Sequence, residues 1–462
     1  MGGRMNDGSE GADVGSTGRG RARAVLLLLF LCGAACATVA QPEDPLRTAL
    51  KSWQAQAEEL RGLAFEHPVE LRPLTREEIP GIVRAEVAST LTPEFVKAYR
   101  DAYVTLGALP RDFDLLETLI ALQQDQLVGL YSARERALYV LTELPVGGYS
   151  RDTVVVHELV HALQHQHFPR TMGLMQGLHH NDDVVSAMSA ALEGDACVTM
   201  FGADGTGGSD PDQTRDLRSA KHLSDLMLLD VDNPTGLLAH VPTLVRVSLI
   251  FPYAHGTVSA AEQYELAGNP GLDRLVGDVP LASLDFVRPR IREDVPAVDF
   301  VRLPLAELEA VLAPRGCAVR HHNVAGGVTL GVLLEEHGLD GDGDAVAAGW
   351  VGDRFADVQC ESGRELLWFT RWTDEASAAA FAAAYRDVAG SIAEVAPLAS
   401  RPEPVVSGRS VLIVTKGIAD VAPLVLEKSE IRSYRRLNEW IADDCFTESP
   451  CPWVDGAPPE AH

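Results

Sequence analysis

The stretch that decides the fold is Val154-Val155-Val156-His157-Glu158-Leu159-Val160-His161-Ala162-Leu163-Gln164. Its apolar residues predict a helix that ends before Pro169. Histidines four residues apart lie on one face of a helix and can bind a single Zn²⁺. We therefore expect His157 and His161 to be metal ligands, with Glu158 beside them as the general base that activates a water.

A second run, residues 182–201, also has helical character and contains Ala191-Leu192-Glu193-Gly194-Asp195-Ala196. An unpaired carboxylate among small and apolar residues would be costly, so Glu193 needs a partner, and a metal is a good one. Two histidines and one glutamate, with the fourth position open to water, form a catalytic zinc shell rather than a closed structural one. The sequence thus predicts a Zn²⁺ site made by His157, His161 and Glu193.

The rest of the chain predicts an α+β protein in four parts. Residues 127–141 read as a β-hairpin that turns at residues 133–136, directly before the metal-binding helix. Strands are expected near residues 69–71, 366–369 and 411–414, and a helix at residues 375–388. The expected parts are a signal peptide at 1–40, a helical N-terminal region at 41–122, a catalytic domain at 123–284 and a separate C-terminal α+β region at 285–462. Whether residues 41–122 act as a prosegment stays open.

The pattern V-V-x-H-E-L-V-H-A-L-Q-x-Q-H-F at residues 154–168, followed by A-L-E-G-D-A at 191–196, resembles the gluzincin branch of the zincin metallopeptidases. More narrowly, it resembles a poorly characterised group of bacterial and archaeal proteins, taken to be metallopeptidases, with an H-E-L-x-H-A-L-Q-D-Q core. The resemblance extends over about residues 55–390 and includes Gly129-Leu130-Tyr131 and Phe251-Pro252-Tyr253. This sequence has His165 where that group often has Asp.

The resemblance implies a zincin-like catalytic domain whose hairpin forms the edge of the cleft, where a peptide can pair by strand addition. It implies Zn²⁺ as the cofactor and a protein or peptide as the substrate. It also implies a donor that stabilises the oxyanion of the tetrahedral intermediate. Tyr253 and His255 are the candidates for that donor, and packing roles for both are the alternative.

Other histidines compete for the role of third ligand. His165 lies about 12 Å along the helix axis from His157, too far for both to share one ion with His161 on a straight helix. A metzincin site has a glycine three residues after the second histidine, where this chain has Gln164. Glu193 is therefore the better third ligand, and we expect His165 and His167 to be solvated or supporting imidazoles.

The first 40 residues predict export. Arg19, Arg21 and Arg23 precede the apolar run at residues 24–31, which is too short for a comfortable membrane span. Gly33-Ala34-Ala35-Cys36 resembles a bacterial lipoprotein signal, with Cys36 as the acylated residue; ordinary cleavage after Ala37 or Ala40 remains open. We expect a membrane-anchored lipoprotein of the cell envelope, or otherwise a periplasmic or secreted protein.

Charge and cysteines fit that location. A net charge of −27 argues against nucleic acid as a partner, since phosphates require a basic surface. Export permits disulfides, and we expect the pairs Cys445 with Cys451 and Cys317 with Cys360. Cys197, four residues after Glu193, is expected to be a buried free thiol.

These expectations combine into one hypothesis. The chain would be an exported zinc metallopeptidase that hydrolyses peptide bonds, with Glu158 taking a proton from the attacking water. The alternative is a non-catalytic metal-binding or assembly lipoprotein that keeps the zincin fold, and a third possibility is hydrolysis of a non-peptide amide. An intact Glu158 favours the enzyme, because a metal clamp has no use for it.

Overall fold

The structure is a computed structural model that describes residues 45–142, 151–201, 217–232, 234–287, 295–339, 341–448 and 451. The expected signal peptide, with Cys36 and its alternative cleavage sites, lies outside the described residues. No helix in the described ranges is long and apolar enough to cross a membrane.

The described chain mixes helices and short strands. Its α-helices are α1 Pro45–Arg61, α2 Ile79–Thr90, α3 Pro93–Leu106, α4 Leu115–Gln126, α5 Arg151–His167, α6 Pro169–Gly177, α7 Asp182–Met200, α8 Leu217–Asp232, α9 Thr243–Ala267, α10 Asn269–Gly277, α11 Leu284–Val287, α12 Leu305–Leu312, α13 Gly326–Glu336, α14 Gly343–Ala347, α15 Glu375–Val395, α16 Ala422–Lys428 and α17 Leu437–Ala442. Its strands are β1 Glu70–Leu74, β2 Gly129–Ser132, β3 Ala137–Leu141, β4 Val298–Arg302, β5 Ala318–Asn323, β6 Trp350–Cys360, β7 Gly363–Trp372, β8 Pro402–Ser407, β9 Ser410–Thr415 and β10 Glu430–Tyr434. Short 3₁₀ turns lie at Gly236–His240, Ala313–Arg315 and Lys416–Val421. The predicted α+β class is confirmed.

A small sheet lies beside the helix that carries the two histidines. Its strand order is β1-β3-β2, with β1 parallel and β2 antiparallel to β3. This confirms the predicted hairpin and the predicted short strand before it. Strand β2 therefore lies at one edge of this sheet, next to α5.

Helix α5 is held in place by its apolar face. Val155, Val156, Leu159 and Leu163 are fully buried and pack in one cluster with Trp53 of α1. Burial of side chains of this size contributes about 1.5–3 kcal/mol each, so the face of α5 that turns to the core is strongly specified. The rotation of α5, and with it the direction of its histidines, follows from this packing.

Helices α7 and α9 cross at very short range. Gly194 of α7 lies against the backbone of Gly256 in α9, and Gly256 lies against the carbonyl of Ala190. A Cβ at either glycine would overlap backbone atoms of the other helix, so only glycine permits this approach. The crossing fixes the place of Glu193, which directly precedes Gly194.

The second half of the chain forms a five-stranded antiparallel sheet with the order β5-β6-β7-β9-β8. Helix α15 covers it through aromatic contacts, among them Trp372 stacked on Phe381 with ring centroids 4.6 Å apart. The strands expected near 366–369 and 411–414 and the helix at 375–388 are confirmed as β7, β9 and α15. Strands β4 and β10 form a separate antiparallel pair.

The cysteines pair as expected. Disulfides join Cys317 to Cys360 and Cys445 to Cys451, and Cys197 is a buried free thiol. The first disulfide links the start of β5 to the end of β6, and the second closes a short loop after α17. The two predicted disulfides and the predicted free thiol are confirmed.

One large apolar cluster runs through the described chain from α3 to the loop after α17. It joins side chains of α7 and α9 to Trp350, Trp368 and Trp372 of the five-stranded sheet. The contacts hold the described residues from Pro45 onward together as one unit. The division at residues 122 and 284 into functional regions stays a prediction.

Candidate metal centre

Three potential ligand atoms converge between α5 and α7. The Nε2 atoms of His157 and His161 are 3.1 Å apart, and the Glu193 Oε2 atom is 3.1 Å from the first and 3.3 Å from the second. Ligand atoms at about 2.0–2.2 Å from a tetrahedral Zn²⁺ are separated by about 3.3–3.5 Å. The triangle is thus slightly smaller than a zinc shell, by about 0.2 Å on two sides, and small shifts of the side chains would fit it to the ion. Within the described residues it is the one cluster of three such ligand atoms.

The electrostatics of the triangle suit a cation. Burial alone would lower the pKa of His161, but the negative charge of Glu193 outweighs it and raises this pKa above its ordinary value. Burial alone would raise the pKa of Glu193, but the charge of His161 and the hydrogen bond with His157 outweigh it and lower this pKa. A cation that binds there would take the place of protons on the histidines, because a metal ligand must be deprotonated.

The orientation of His161 is set by Gln164, one turn further along α5. The Nδ1 atom of His161 lies 2.8 Å from the Gln164 Oε1 atom. The Gln164 Nε2 atom donates to the Leu192 carbonyl and to the Asp195 carboxylate, both at 2.9 Å. Since the amide nitrogen is committed to those acceptors, its oxygen faces His161 and accepts the Nδ1 proton. The lone pair of His161 is then on Nε2, the atom in the triangle.

Glu158 lies beside the triangle and faces strand β2. Its Oε2 atom accepts a hydrogen bond of 2.8 Å from the backbone N–H of Tyr131. Its side chain also lies against Gly129, where a Cβ would come within 3.1 Å of the Glu158 Cγ atom. The negative charge of Glu158 also adds to the raised pKa values of His161 and Tyr253.

The structure separates the two candidates for the oxyanion donor. The Tyr253 ring stacks near His157, with centroids 6.3 Å apart, and its phenol lies close enough to Glu193 for the charge of that carboxylate to act on it. The negative charge of Glu193, together with burial, raises the pKa of Tyr253 well above its ordinary value. The phenol therefore keeps its proton and can donate it in a hydrogen bond.

His255, two residues further along α9, lies in different surroundings. Its ring packs against Phe251, with centroids 5.1 Å apart, and lines a cavity with Asp344. Burial lowers the pKa of His255, so the ring is neutral at pH 7. The structure brings Tyr253, and not His255, to the triangle.

The other histidines that competed for the third ligand position also lie elsewhere. His165 Nδ1 is 2.9 Å from the phenol of Tyr131, and His167 Nε2 is 2.7 Å from the Ala64 carbonyl. Both placements agree with the supporting roles expected for these imidazoles. His179 and His180 lie against the ring of Phe95, away from the triangle.

Three supporting residues did not follow from the sequence. Asp195 lies in the same small and apolar run as Glu193, so the cost of its buried charge was a usable signal. Its partner, Arg61, is 134 residues away and carries no local signal. The sequence drew attention to Gln164 only because metzincin sites have a glycine at the corresponding position, three residues after the second histidine.

A family model described as "Domain of unknown function (DUF8575)" matches residues 314–420. The matched part contains the five-stranded sheet and α15, and none of the residues of the metal centre. No curated protein and no solved structure matches the chain. The similarity therefore bears on the C-terminal sheet and leaves the activity to be argued from the site.

Proposed function

We propose that this protein is an exported zinc metallopeptidase of gluzincin type that hydrolyses peptide bonds in a protein or peptide substrate. The observation that carries the proposal is the convergence of His157, His161 and Glu193 to within 3.3 Å of one another, with Glu158 at their side. Two imidazoles and one carboxylate are a donor set that Zn²⁺ accepts, and they leave a fourth position free. An adjacent carboxylate that is not itself in the triangle is the further group that hydrolysis needs.

Different residues of the chain would perform the separate steps of hydrolysis. When bound, zinc would polarise the peptide carbonyl and lower the pKa of the attacking water. Glu158 accepts the proton of that water and later delivers it to the nitrogen of the leaving amine. Tyr253 donates a hydrogen bond to the oxygen that becomes negative during the attack. The Tyr131 N–H holds the Glu158 carboxylate in place for both proton transfers.

Strand β2 supports a peptide as the substrate. Among the described strands it pairs only with β3, so no described strand covers its other side. The Tyr131 N–H points away from β3 toward Glu158, and Gly129 shares that direction because strand backbones alternate with period two. Because the Tyr131 N–H is bonded to Glu158, an extended peptide at this edge would pair with the remaining outward backbone groups of β2 and pass directly beside the proposed base.

The base is tested with Glu158→Gln and a matched control, Glu94→Gln, on the exposed side of α3. Glu158→Gln should keep stoichiometric zinc, because the residue is not a ligand, and should lose about 10²- to 10⁴-fold in turnover. The measurement is elemental analysis of the purified proteins combined with cleavage of a proteome-derived peptide library. Equal cleavage by wild type and Glu158→Gln would overturn the mechanism. Zinc binding without cleavage by any form would favour the non-catalytic lipoprotein.

The ligand set is tested separately. His161→Ala and Glu193→Ala each remove one corner of the triangle, so the purified variants should contain no stoichiometric zinc. Wild-type zinc content and affinity in Glu193→Ala would show that the third ligand is another residue.

The location belongs to the same proposal. We propose that Cys36 is acylated and anchors the protein to a membrane, where acyl chains contribute about 0.8 kcal/mol per buried CH₂. The mature chain should then begin at Cys36 and partition into detergent, and Cys36→Ser should release it or block maturation. A soluble protein that begins at Thr38 or Gln41 would overturn the anchor and leave the hydrolase proposal intact.

A further inference from the structure

A buried arginine of the first helix reaches the metal centre. Arg61 is the last residue of α1, and its side chain is fully buried. Its Nε atom lies 2.8 and 3.0 Å from the two carboxylate oxygens of Asp195, and its Nη1 atom lies 2.8 Å from Asp273. The guanidinium also lies over the ring of Phe168, at the end of α5. A single residue of α1 thus contacts both helices that supply the ligands, or the segments next to them.

The contacts continue from Arg61 to His161 without a gap. The Asp195 Oδ2 atom that faces Arg61 also accepts a hydrogen bond of 2.9 Å from the Gln164 amide. The Gln164 oxygen is in turn 2.8 Å from His161 Nδ1. Because Asp195 and Gln164 are fully buried, water does not compete for these hydrogen bonds. The amide has one orientation that satisfies all three partners, and it leaves the His161 Nε2 lone pair directed into the triangle.

We propose that Arg61 is a positioning residue of the metal centre, which sets the tautomer and direction of His161 through Asp195 and Gln164. This rests on the proposed function for its biological meaning. It follows that α1 is part of the working enzyme and is not removed as a prosegment. The packing of Trp53 and Ala57 of α1 in the same cluster as Val155 and Leu159 of α5 supports the second statement independently.

The test compares the zinc affinity of variants at Arg61 with that of a variant at Asp273, the other acidic partner of Arg61. Arg61→Met removes the charge that holds Asp195, and should weaken zinc binding about 10- to 100-fold, as changes behind a ligating histidine typically do. Arg61→Lys restores the positive charge and should recover part of the affinity. Asp273→Asn is the matched control: it removes a partner of Arg61 that is partly exposed and does not contact Gln164, so its zinc affinity should equal that of wild type. The measurement is chelator competition on the full chain.

Two further measurements separate positioning from a structural role. Gln164→Leu keeps the Arg61–Asp195 pair and removes the hydrogen bond to His161, so it should weaken zinc binding as much as Arg61→Met is expected to. This variant tests the link to His161 even if Arg61→Met does not fold. Nitrogen NMR of the metal-free protein, at a pH where the ring is neutral, should show His161 protonated on Nδ1 in wild type and in Asp273→Asn. In Gln164→Leu it should show a mixture of tautomers.

The proposal is overturned if folded Gln164→Leu binds zinc as tightly as wild type, or if Asp273→Asn loses as much affinity as Arg61→Met. An active, zinc-loaded form isolated from cells without residues 45–61 would overturn the statement about α1. If the wild type binds no zinc at all, the proposed function fails, while the tautomer measurement still decides whether the chain from Arg61 orients His161.

Discussion

Tyr253 and His255 are separated by one residue and have different surroundings. The Tyr253 phenol reaches Glu193 and the His157 ring, whereas His255 packs against Phe251 beside another cavity. Residues two apart on a helix differ by about 200° around its axis, so only one of them can face a given neighbour. Substitution of each residue can therefore test which of the two is the oxyanion donor.

Tyr253→Phe should lower kcat by about 10²-fold, since loss of one oxyanion donor commonly costs 10²–10³. Zinc content should stay stoichiometric and KM should change little, because the phenol is not a ligand and acts on charge that develops during the reaction. The matched control, His255→Gln, should retain kcat. Steady-state kinetics on a cleaved peptide from the library provides the comparison. A loss of kcat in His255→Gln with none in Tyr253→Phe would reverse the assignment.

At the scale of residues, the sequence predicted those site residues that local features of the sequence indicate. His157, Glu158 and His161 follow from positions on one helix, and Glu193 follows from the cost of a buried charge. Arg61 could not be predicted, because an arginine at the end of an amphipathic helix is ordinarily solvated and its partner is 134 residues away. Only the tertiary structure shows that its guanidinium is buried.

At the scale of elements, the metal centre depends on the crossing of α7 and α9. Glu193 directly precedes Gly194, whose Cα lies against the backbone of Gly256. The sequence predicted the helix at 182–201 but not its crossing with α9. A glycine inside a predicted helix indicates only a lower helical propensity and does not identify a neighbouring helix. The structure shows that the missing side chain is what lets the two helix backbones touch.

Gly194→Ala should therefore destabilise the protein by about 3 kcal/mol or more, since the new methyl group meets backbone atoms that cannot turn away. Gly390→Ala, on the exposed side of α15, is the control: nothing lies near its Cβ position, and it should stabilise the protein by about 0.5–1 kcal/mol. Urea unfolding of the zinc-free proteins gives both values. If Gly194→Ala were as stable as Gly390→Ala, the close crossing would be wrong.

At the scale of the whole molecule, the predicted separate C-terminal region shares a core with the helices. A continuous apolar cluster contains Leu106 of α3, Met188 of α7 and Trp368 of β7. Hydrophobic periodicity predicts which face of an element is buried and does not say against which element it packs. The elements were therefore predictable, and their assembly around one core was not.

A buried carboxylate at this junction gives the molecule a measurable pH dependence. Asp183, in the first turn of α7, is buried and accepts a hydrogen bond from the Ser283 hydroxyl. Burial is the main cause that raises its pKa to about 7, and the negative charge of Asp353 in β6 adds to it. The unfolded chain has the ordinary value of about 3.9, so the folded state binds the proton more tightly.

The sign follows from that difference. Below about pH 3 the carboxyl is protonated in both states. As the pH rises toward 7 the unfolded state releases the proton first, so the stability contributed by the bound proton is progressively lost. Asp183→Asn keeps an oxygen that accepts from Ser283 and does not titrate. Its free energy of unfolding relative to wild type should therefore increase by about 3 kcal/mol between pH 4 and pH 7 and level off above about pH 8. Urea unfolding in chelator at several pH values measures the difference, with Asp112→Asn as an exposed control that should show no comparable rise. A difference that stays constant from pH 4 to pH 8 would mean that Asp183 is ionised in the folded protein, and that the junction between α7 and the sheet tolerates a buried negative charge.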